Sequence, residues 1–339
     1  MRLAEFDFPF DPSLVALQPV TPRDRARLLV VDRRTDRLAH HHVADLPSLL
    51  DPGDLVVVND TKVLAARVPG RKQPVGTPVE MLFVRDLGND VWEVMVKGTF
   101  HIGQAIEFDG LARATVLKRD AMGTTVKVES PIPVVQLLRE IGRMPLPPYI
   151  KRKPSRDDHE WYQTAFAKHE GAIAAPTAGL HFTAELLARL AARSIQVASV
   201  TLHVGPGTFK PVVTERIEDH QMGAERFEVG LDVAEAIART KQADRRVVAI
   251  GTTVVRTVET VAKEHGLVVP SGGESRLFIT PGFQFTTVDA LMTNFHLPQT
   301  TLLMLVSAFA GVELMRQAYD EAVKERYRFY SYGDAMLIL

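Results

Sequence analysis

Short apolar runs closed by polar turns alternate along this chain with stretches whose apolar positions recur at helical spacing. Residues 28–32 (Leu-Leu-Val-Val-Asp) and 55–58 (Leu-Val-Val-Val) predict short, largely buried strands. From about Arg67 to Ser130 the texture changes. Segments 79–84, 91–96 and 125–128 are rich in β-branched and aromatic residues and are separated by Gly, Asn and Asp turn signals. No helix-length period lies between them, which predicts a small antiparallel barrel or sandwich. A proline-rich hinge follows at 144–149, where fixed φ values and missing N–H groups forbid regular structure. Beyond it the pattern alternates between strand and helix. Thr183 is placed to cap a helix with Leu186, Leu187 and Leu190 on one face, and Glu185 suits its first turn. Residues 196–204 alternate as a strand, Asp232 and Glu235 have capping-box spacing for a helix to about Ala243, and 247–250 is a buried strand. Residues 258–263 and 313–326 predict two further helices. The fold class is therefore α/β: a large α/β domain formed by both ends of the chain (1–64 and 150–339), with an inserted small all-β, barrel-like domain (65–149).

Composition changes this picture little. The chain has 339 residues, 46% hydrophobic and 24% charged, enough for about two domains of roughly 150 residues and for a sizeable core. Forty basic against forty-one acidic residues give a net charge of −1. No global positive field advertises nucleic acid, although a local basic face is still permitted. Without cysteine there is no disulfide, thiolate zinc site, iron–sulfur cluster or cysteine nucleophile. The N-terminal residues lack the apolar core of a signal peptide. The greasiest run, 302–310, is about half the roughly 20 residues a membrane span needs, so a cytoplasmic protein with no membrane partner is expected.

Candidate chemistry is concentrated where strands should end. Asn59-Asp60-Thr61-Lys62 offers an amide and a carboxylate that either bind ribose hydroxyls and orient a base or form a strand-ending Asx turn. In 175–183, Pro and Gly bracket a polar tip containing Thr177 and His181 just before a helix start; His181 is either an acid–base group or a hydrogen-bonded histidine in a capped turn. Segment 201–209, with His203, Gly205 and Gly207, fails the dinucleotide fingerprint because Lys210 stands where a third glycine is needed. Its two glycines still allow close backbone approach to a ligand. Gly251-Thr252-Thr253 supplies donors at a strand-to-helix switch, and Arg256 a planar fork for a carboxylate or phosphate, or else a partner for Glu259. The segment lacks the Gly-Lys-Ser/Thr ending of a nucleoside-triphosphate loop. Asn294 and His296 flank an aromatic and either hold a flat heterocycle or close a capping loop. The aromatics of 327–334 read as base-stacking or as core. Lys151-Arg152-Lys153 and Arg67, Arg71 and Lys72 are short basic runs, solvated faces or phosphate contacts. His40-His41-His42 would alternate in direction on a strand and cannot all face one ion, so no metal is expected there.

Taken in order, the blocks at 58–63, 143–150, 175–182, 201–209, 251–259, 293–298 and 327–334 closely resemble the S-adenosylmethionine:tRNA ribosyltransferase-isomerase family of queuosine biosynthesis, over essentially the whole chain. Departures from the family pattern are Pro206, Gly223, Ser275-Arg276 and Phe283. Gly223 excludes a catalytic role for the histidine the family usually has there, and Arg276 removes a carboxylate contact. The resemblance implies that the ribosyl part of S-adenosylmethionine moves to the aminomethyl group of 7-aminomethyl-7-deazaguanine at the tRNA wobble position. It isomerises there to an epoxycyclopentanediol, and adenine and methionine leave. Such chemistry needs a base beside the sulfonium, hydrogen bonding to the leaving adenine and a neutral amine, with neither metal nor prosthetic group.

Under this resemblance His181, His203 and Asp60 are the catalytic candidates. Substrate would be held by Asn59, Thr177, Gly205, Gly207, Thr252, Thr253 and Arg256, the last three on the methionine carboxylate, with Asn294 and His296 on adenine. Arg67, Arg71, Lys72, Lys151, Arg152, Arg328 and Tyr332 would contact tRNA. The expected partners are S-adenosylmethionine and a tRNA with a GUN anticodon, bound by a monomer. The competing readings are a tRNA-binding module without catalysis and a methyltransferase, the latter disfavoured by the missing acidic-Gly-x-Gly strand loop.

Overall fold

The computed structural model describes residues 1–120, 123–205 and 212–339. Four strands precede the barrel region: β1 (Arg27–Asp32), β2 (Arg37–His42), β3 (Leu55–Asn59) and β4 (Thr61–Val63). The next six are β5 (Arg67–Lys72), β6 (Thr77–Asp86), β7 (Val91–Val96), β8 (Ala105–Phe108), β9 (Ala112–Asp120) and β10 (Gly123–Glu129). The remaining strands are β11 (His169–Ala172), β12 (Gln196–Leu202), β13 (Glu225–Val229), β14 (Val247–Ile250), β15 (Ser271–Ser275), β16 (Ala290–Asn294) and β17 (Ala335–Ile338). The helices are α1 (Leu46–Leu49), α2 (Val134–Ile141), α3 (Asp158–Trp161), α4 (Ala184–Ala192), α5 (Leu231–Gln242), α6 (Thr252–His265), α7 (Thr301–Ala310) and α8 (Val312–Lys324).

Strands from both ends of the chain build one nine-stranded sheet in the order β15-β13-β12-β3-β14-β16-β17-β1-β2. Its centre, β12-β3-β14-β16, is parallel, and β17 runs antiparallel to β16. Leu55 and Val57 enter one core together with Val233 and Ile237 of α5, Val254 and Val258 of α6, and residues of α7 and α8. Val56 and Val58 enter the opposite core with Leu46 of α1 and Leu186 and Leu190 of α4. Helices cover both faces, which is why β14 and the body of β3 are apolar at every position.

Strands β5 to β10 close into an antiparallel barrel in the order β10-β7-β6-β5-β8-β9. Closure pairs every edge and decides between the two architectures its pattern allowed. Phe83, Trp92, Phe108 and Val126 fill the interior, and Val134, Leu137 and Leu138 of α2 belong to the same core. Arg67 and Arg143 exchange backbone hydrogen bonds at 3.2 and 2.9 Å, fixing the start of the barrel to the residue before the proline hinge.

Thr183 caps α4 as expected, its hydroxyl accepting the Leu186 N–H at 3.0 Å. Two expectations need correction. Helix α5 starts from Gly230, so Asp232 is its second residue rather than a capping-box residue. Helix α6 starts six residues before Val258: Gly251, at φ 93°, turns the chain straight from β14 into the helix. The β-branched run Thr252 to Val258 masks the helical period, and tertiary burial overrides its weak helix propensity. Helices α7 and α8 meet at 116°; among the described residues no single helix is long and apolar enough to cross a membrane.

Candidate active site

Because β12, β3, β14 and β16 are parallel, their carboxyl ends share one edge, where open α/β sheets place ligands. Asn59 ends β3 and ties this edge together. Its Oδ1 accepts the N–H groups of Thr61 (3.1 Å) and Leu202 (3.0 Å). Its Nδ2 donates to the Leu202 carbonyl (3.0 Å) and the Thr253 hydroxyl (3.2 Å). The amide thus fixes the ends of β3 and β12 against the first turn of α6. Thr252 is buried beside Thr253 in that turn, whose Gly251 cap provides no side-chain acceptor. Free N–H groups and the helix dipole make it suited to an anionic oxygen.

One residue on, Asp60 is buried between β3 and β12. Thr201 and Ser199 donate their hydroxyls to its two carboxylate oxygens at 2.6 and 2.9 Å, and His169 lies 3.8 Å away. Ser199 and Thr201 were not foreseen. Their signal is two hydroxyls at i and i+2 on one face of a strand read as alternating. His203 follows the end of β12. Its Nδ1 is 2.8 Å from the Thr61 hydroxyl, which itself donates to the His169 carbonyl at 3.4 Å. That direction assigns the ring proton to Nδ1 and leaves the Nε2 lone pair available. Burial, aided by the positive charge of Arg226, holds the His203 pKa below its ordinary value. The ring lies against Gly171 at φ 153°, where a Cβ would approach it to 2.8 Å.

The neighbouring part of the edge joins β16 to the start of β17. Asn294 Nδ2 donates to the carbonyls of Tyr330 (3.1 Å) and Asp334 (3.5 Å) and lies 3.2 Å from His181 Nε2. His181 is buried on the 3-10 turn Thr177–His181, whose Thr177 is half-buried and whose Ala178 touches Gly251. Burial lowers the His181 pKa to about 4 against the opposing pull of Asp334. The ring is therefore neutral near pH 7, and one nitrogen is already engaged by Asn294. His296 is not brought to this group: among the described contacts its Nε2 meets the Thr293 hydroxyl (3.0 Å) and its N–H the Tyr319 hydroxyl of α8 (2.9 Å). Burial drops its pKa to about 3.

Arg256 does not pair with Glu259. Its Nη1 makes a short contact with Glu225 of β13, and its Nε donates to the Leu277 carbonyl at 3.2 Å. The other Glu225 oxygen accepts the Gly205 N–H at 3.0 Å. Glu259 instead accepts the N–H groups of Thr286, Thr287 and Val288. Among the described residues Arg256 Nη2 is buried without a hydrogen-bond partner, so the guanidinium keeps donor capacity in reserve. Glu225 has no sequence-local signature, since its partner lies 31 residues away. Gly207 lies outside the described residues.

A family model described as queuosine biosynthesis protein matches residues 3–338. The chain belongs to that family. Among its queuosine-family relatives, the protein named S-adenosylmethionine:tRNA ribosyltransferase-isomerase from Symbiobacterium thermophilum is 48% identical over all of both chains. The protein of the same name from Anaeromyxobacter sp. is 49% identical over 100% of this chain and 99% of its own. The crystal structure of S-adenosylmethionine tRNA ribosyltransferase from Thermotoga maritima is 36% identical, covers 99% of this chain and 100% of its own, and superposes with a TM-score of 0.57.

For this queuosine-family chain, three of the expected tRNA contacts are engaged within the protein. Tyr332 is 2% exposed, packs edge-on against Tyr162 and donates its hydroxyl to Asp158 at 2.9 Å, so no base can stack on it. Arg152 spends its fork on the same carboxylate, at 2.6 and 2.7 Å. Arg328 is bound to Asp334 at 3.1 Å. On the barrel, Arg67 pairs with Glu80, Arg71 donates to the Gly76 carbonyl, and Lys72 donates to the Thr99 carbonyl above the Phe100 ring. Lys151 is exposed. In the histidine run on β2, His40 meets Tyr327 and Glu321 while His41 meets Asp45, and the described residues contain no cluster suited to a metal.

A cavity of about 410 Å³ lies on the opposite edge of the sheet, lined by residues that include Arg33, Asp54, Arg246 and Asp289. Several of its charged groups are engaged within its wall: Arg246 pairs with Asp54 and Asp51, Asp289 with Lys241, and Arg33 donates to three main-chain oxygens. Size alone does not make it the reaction site. The carboxyl edge carries the titratable groups, the free helix turn and the unpaired donor.

Proposed function

We propose that this enzyme transfers the ribosyl moiety of S-adenosylmethionine to the aminomethyl group of 7-aminomethyl-7-deazaguanine at the wobble position of a GUN-anticodon tRNA and isomerises it, giving epoxyqueuosine-tRNA, adenine and methionine. The observation that carries this reading is full-length similarity to ribosyltransferase-isomerases together with the gathering of Asn59, Asp60, His203, Thr252, Thr253 and Asn294 on one sheet edge. We further take the enzyme to be a cytoplasmic monomer with residues 65–149 as its inserted domain.

In this reading His203 Nε2 removes the proton beside the sulfonium. Thr61 fixes its ring, and burial keeps it neutral and ready to accept. Asp60, steadied by two hydroxyls, receives ribose hydroxyls. The first turn of α6 and the spare Arg256 donor hold the methionine carboxylate. Asn294 binds adenine, and His181 orients Asn294 rather than moving a proton, because its low pKa makes it a poor base. Lys151 and the barrel cations meet the tRNA backbone. Chromatography of the products after mixing enzyme, S-adenosylmethionine and substrate tRNA tests the proposal. Adenine and methionine are expected. S-adenosylhomocysteine would show a methyltransferase, and tRNA binding without any product would show a binding module.

A further inference from the structure

Two departures from unstrained structure meet at the end of β16. Tyr330 has φ 68°, a left-handed conformation costly for an aromatic residue. Its N–H donates to the Phe295 carbonyl (3.1 Å), and its carbonyl accepts from Gly333 N–H (2.9 Å) and Asn294 Nδ2 (3.1 Å), which hold the backbone there. The Tyr330 ring stacks on Tyr149 of the proline hinge with centroids 3.8 Å apart and planes 16° apart. That arrangement is a close, nearly parallel stack. The Tyr149 hydroxyl lies 2.7 Å from that of Ser331, tethering the second ring to the same segment.

The second departure is Asn294 itself. It is 2% exposed, yet among the described residues its Oδ1 has no hydrogen-bond partner. Turning the amide over does not help, because the oxygen would then face the Tyr330 and Asp334 carbonyls. A buried acceptor without a donor is costly and calls for one. Both tyrosines are half-buried, so the pair presents aromatic surface on the segment whose Tyr330 carbonyl Asn294 Nδ2 holds.

We infer that Tyr149, Tyr330 and Asn294 form a nucleobase site for a flat bicyclic heterocycle bearing an exocyclic amino group, the rings stacking on the base and Asn294 Oδ1 accepting from the amine. This rests on the proposed function, whose two reactants each carry such a base: the adenine of the donor and the deazaguanine of the tRNA. Tyr330 belongs to the aromatic run 327–334 read from sequence as base-stacking or core, and Tyr149 is an addition to it.

The test measures binding of free adenine, S-adenosylmethionine and substrate tRNA to the wild type and to Tyr149→Leu, Tyr330→Leu and Tyr330→Phe. Loss of stacking is expected to weaken one class of ligand by about 5- to 150-fold in each Leu variant. Tyr330→Phe should recover what Tyr330→Leu loses, since it keeps the ring. Weakened adenine and S-adenosylmethionine with unchanged tRNA would assign the site to the donor base; the reverse would assign it to the wobble base. If Tyr330→Leu does not fold, Tyr149→Leu gives the same reading. Wild-type affinity for all three ligands in folded Leu variants overturns the inference while leaving the function intact. A wild-type enzyme that releases no adenine overturns both.

Discussion

Acidification from pH 7.5 to 5 should remove stability through two buried histidines, and the size of the loss follows from their surroundings. Burial depresses His181 to about 4 and His296 to about 3, whereas in the unfolded chain each returns to about 6.5. The unfolded state therefore binds more protons as pH falls below 6.5, and folding loses free energy through that window. Their stabilisation is complete above the unfolded value. By pH 5 each histidine has given up about 2 kcal/mol, and the full depressions correspond to about 3 and 5 kcal/mol. Against a typical stability of roughly 5–15 kcal/mol this is a large share. Urea denaturation at pH 7.5, 6.5, 5.5 and 5.0 measures it, with His181→Gln and His296→Gln as controls. Each variant starts less stable but should lose about 2 kcal/mol less than the wild type between pH 7.5 and 5. Every other titrating group is common to the proteins and cancels. Profiles parallel to that of the wild type would refute neutral burial of these rings.

Further outcomes follow from the same contacts. His203→Ala should lower kcat by at least about 10²-fold with little change in S-adenosylmethionine affinity if its Nε2 takes the proton; unchanged turnover would remove it from the mechanism. Glu225→Gln should cost about 3–5 kcal/mol, since it strands the buried Arg256 guanidinium, and combining it with Arg256→Met should cost less than the sum of the two single variants. Strict additivity in denaturant melts would show that the pair is not coupled. Arg152→Met should destabilise by a similar amount, because Asp158 beneath it is 0% exposed, while tRNA affinity stays at the wild-type value. A weakened tRNA complex in a folded Arg152→Met protein would restore Arg152 as a phosphate contact. With a net charge of only −1, tRNA should dock on a confined basic strip, and the salt slope of its binding should report a few phosphate contacts rather than many.

Much of the framework was readable because its signals are local. The apolar strand at 55–58, the Thr183 cap and the polar tips after β3, β12, β14 and β16 all announce themselves within a few residues. Features that depend on distant pairing did not. Arg256 has Glu259 at helical spacing, so local reasoning favours that pair; the sheet instead delivers Glu225 from another strand. Tyr332 and Arg152 have the residue types of nucleic-acid contacts, but both are spent on Asp158, which only the fold brings between them. Tyr330 looked like its aromatic neighbours until its backbone conformation and its stack on Tyr149 were seen.

The account stands on the carboxyl edge of β3, β12, β14 and β16 being where the sulfonium nucleoside binds. A crystal structure of the enzyme with S-adenosylmethionine measures this directly. The ligand should lie against Asn59, Asp60, His203, Thr252 and Asn294, with its carboxylate toward the first turn of α6. Density instead in the 410 Å³ cavity beside Arg33 and Arg246, on the far edge of the sheet, would contradict it.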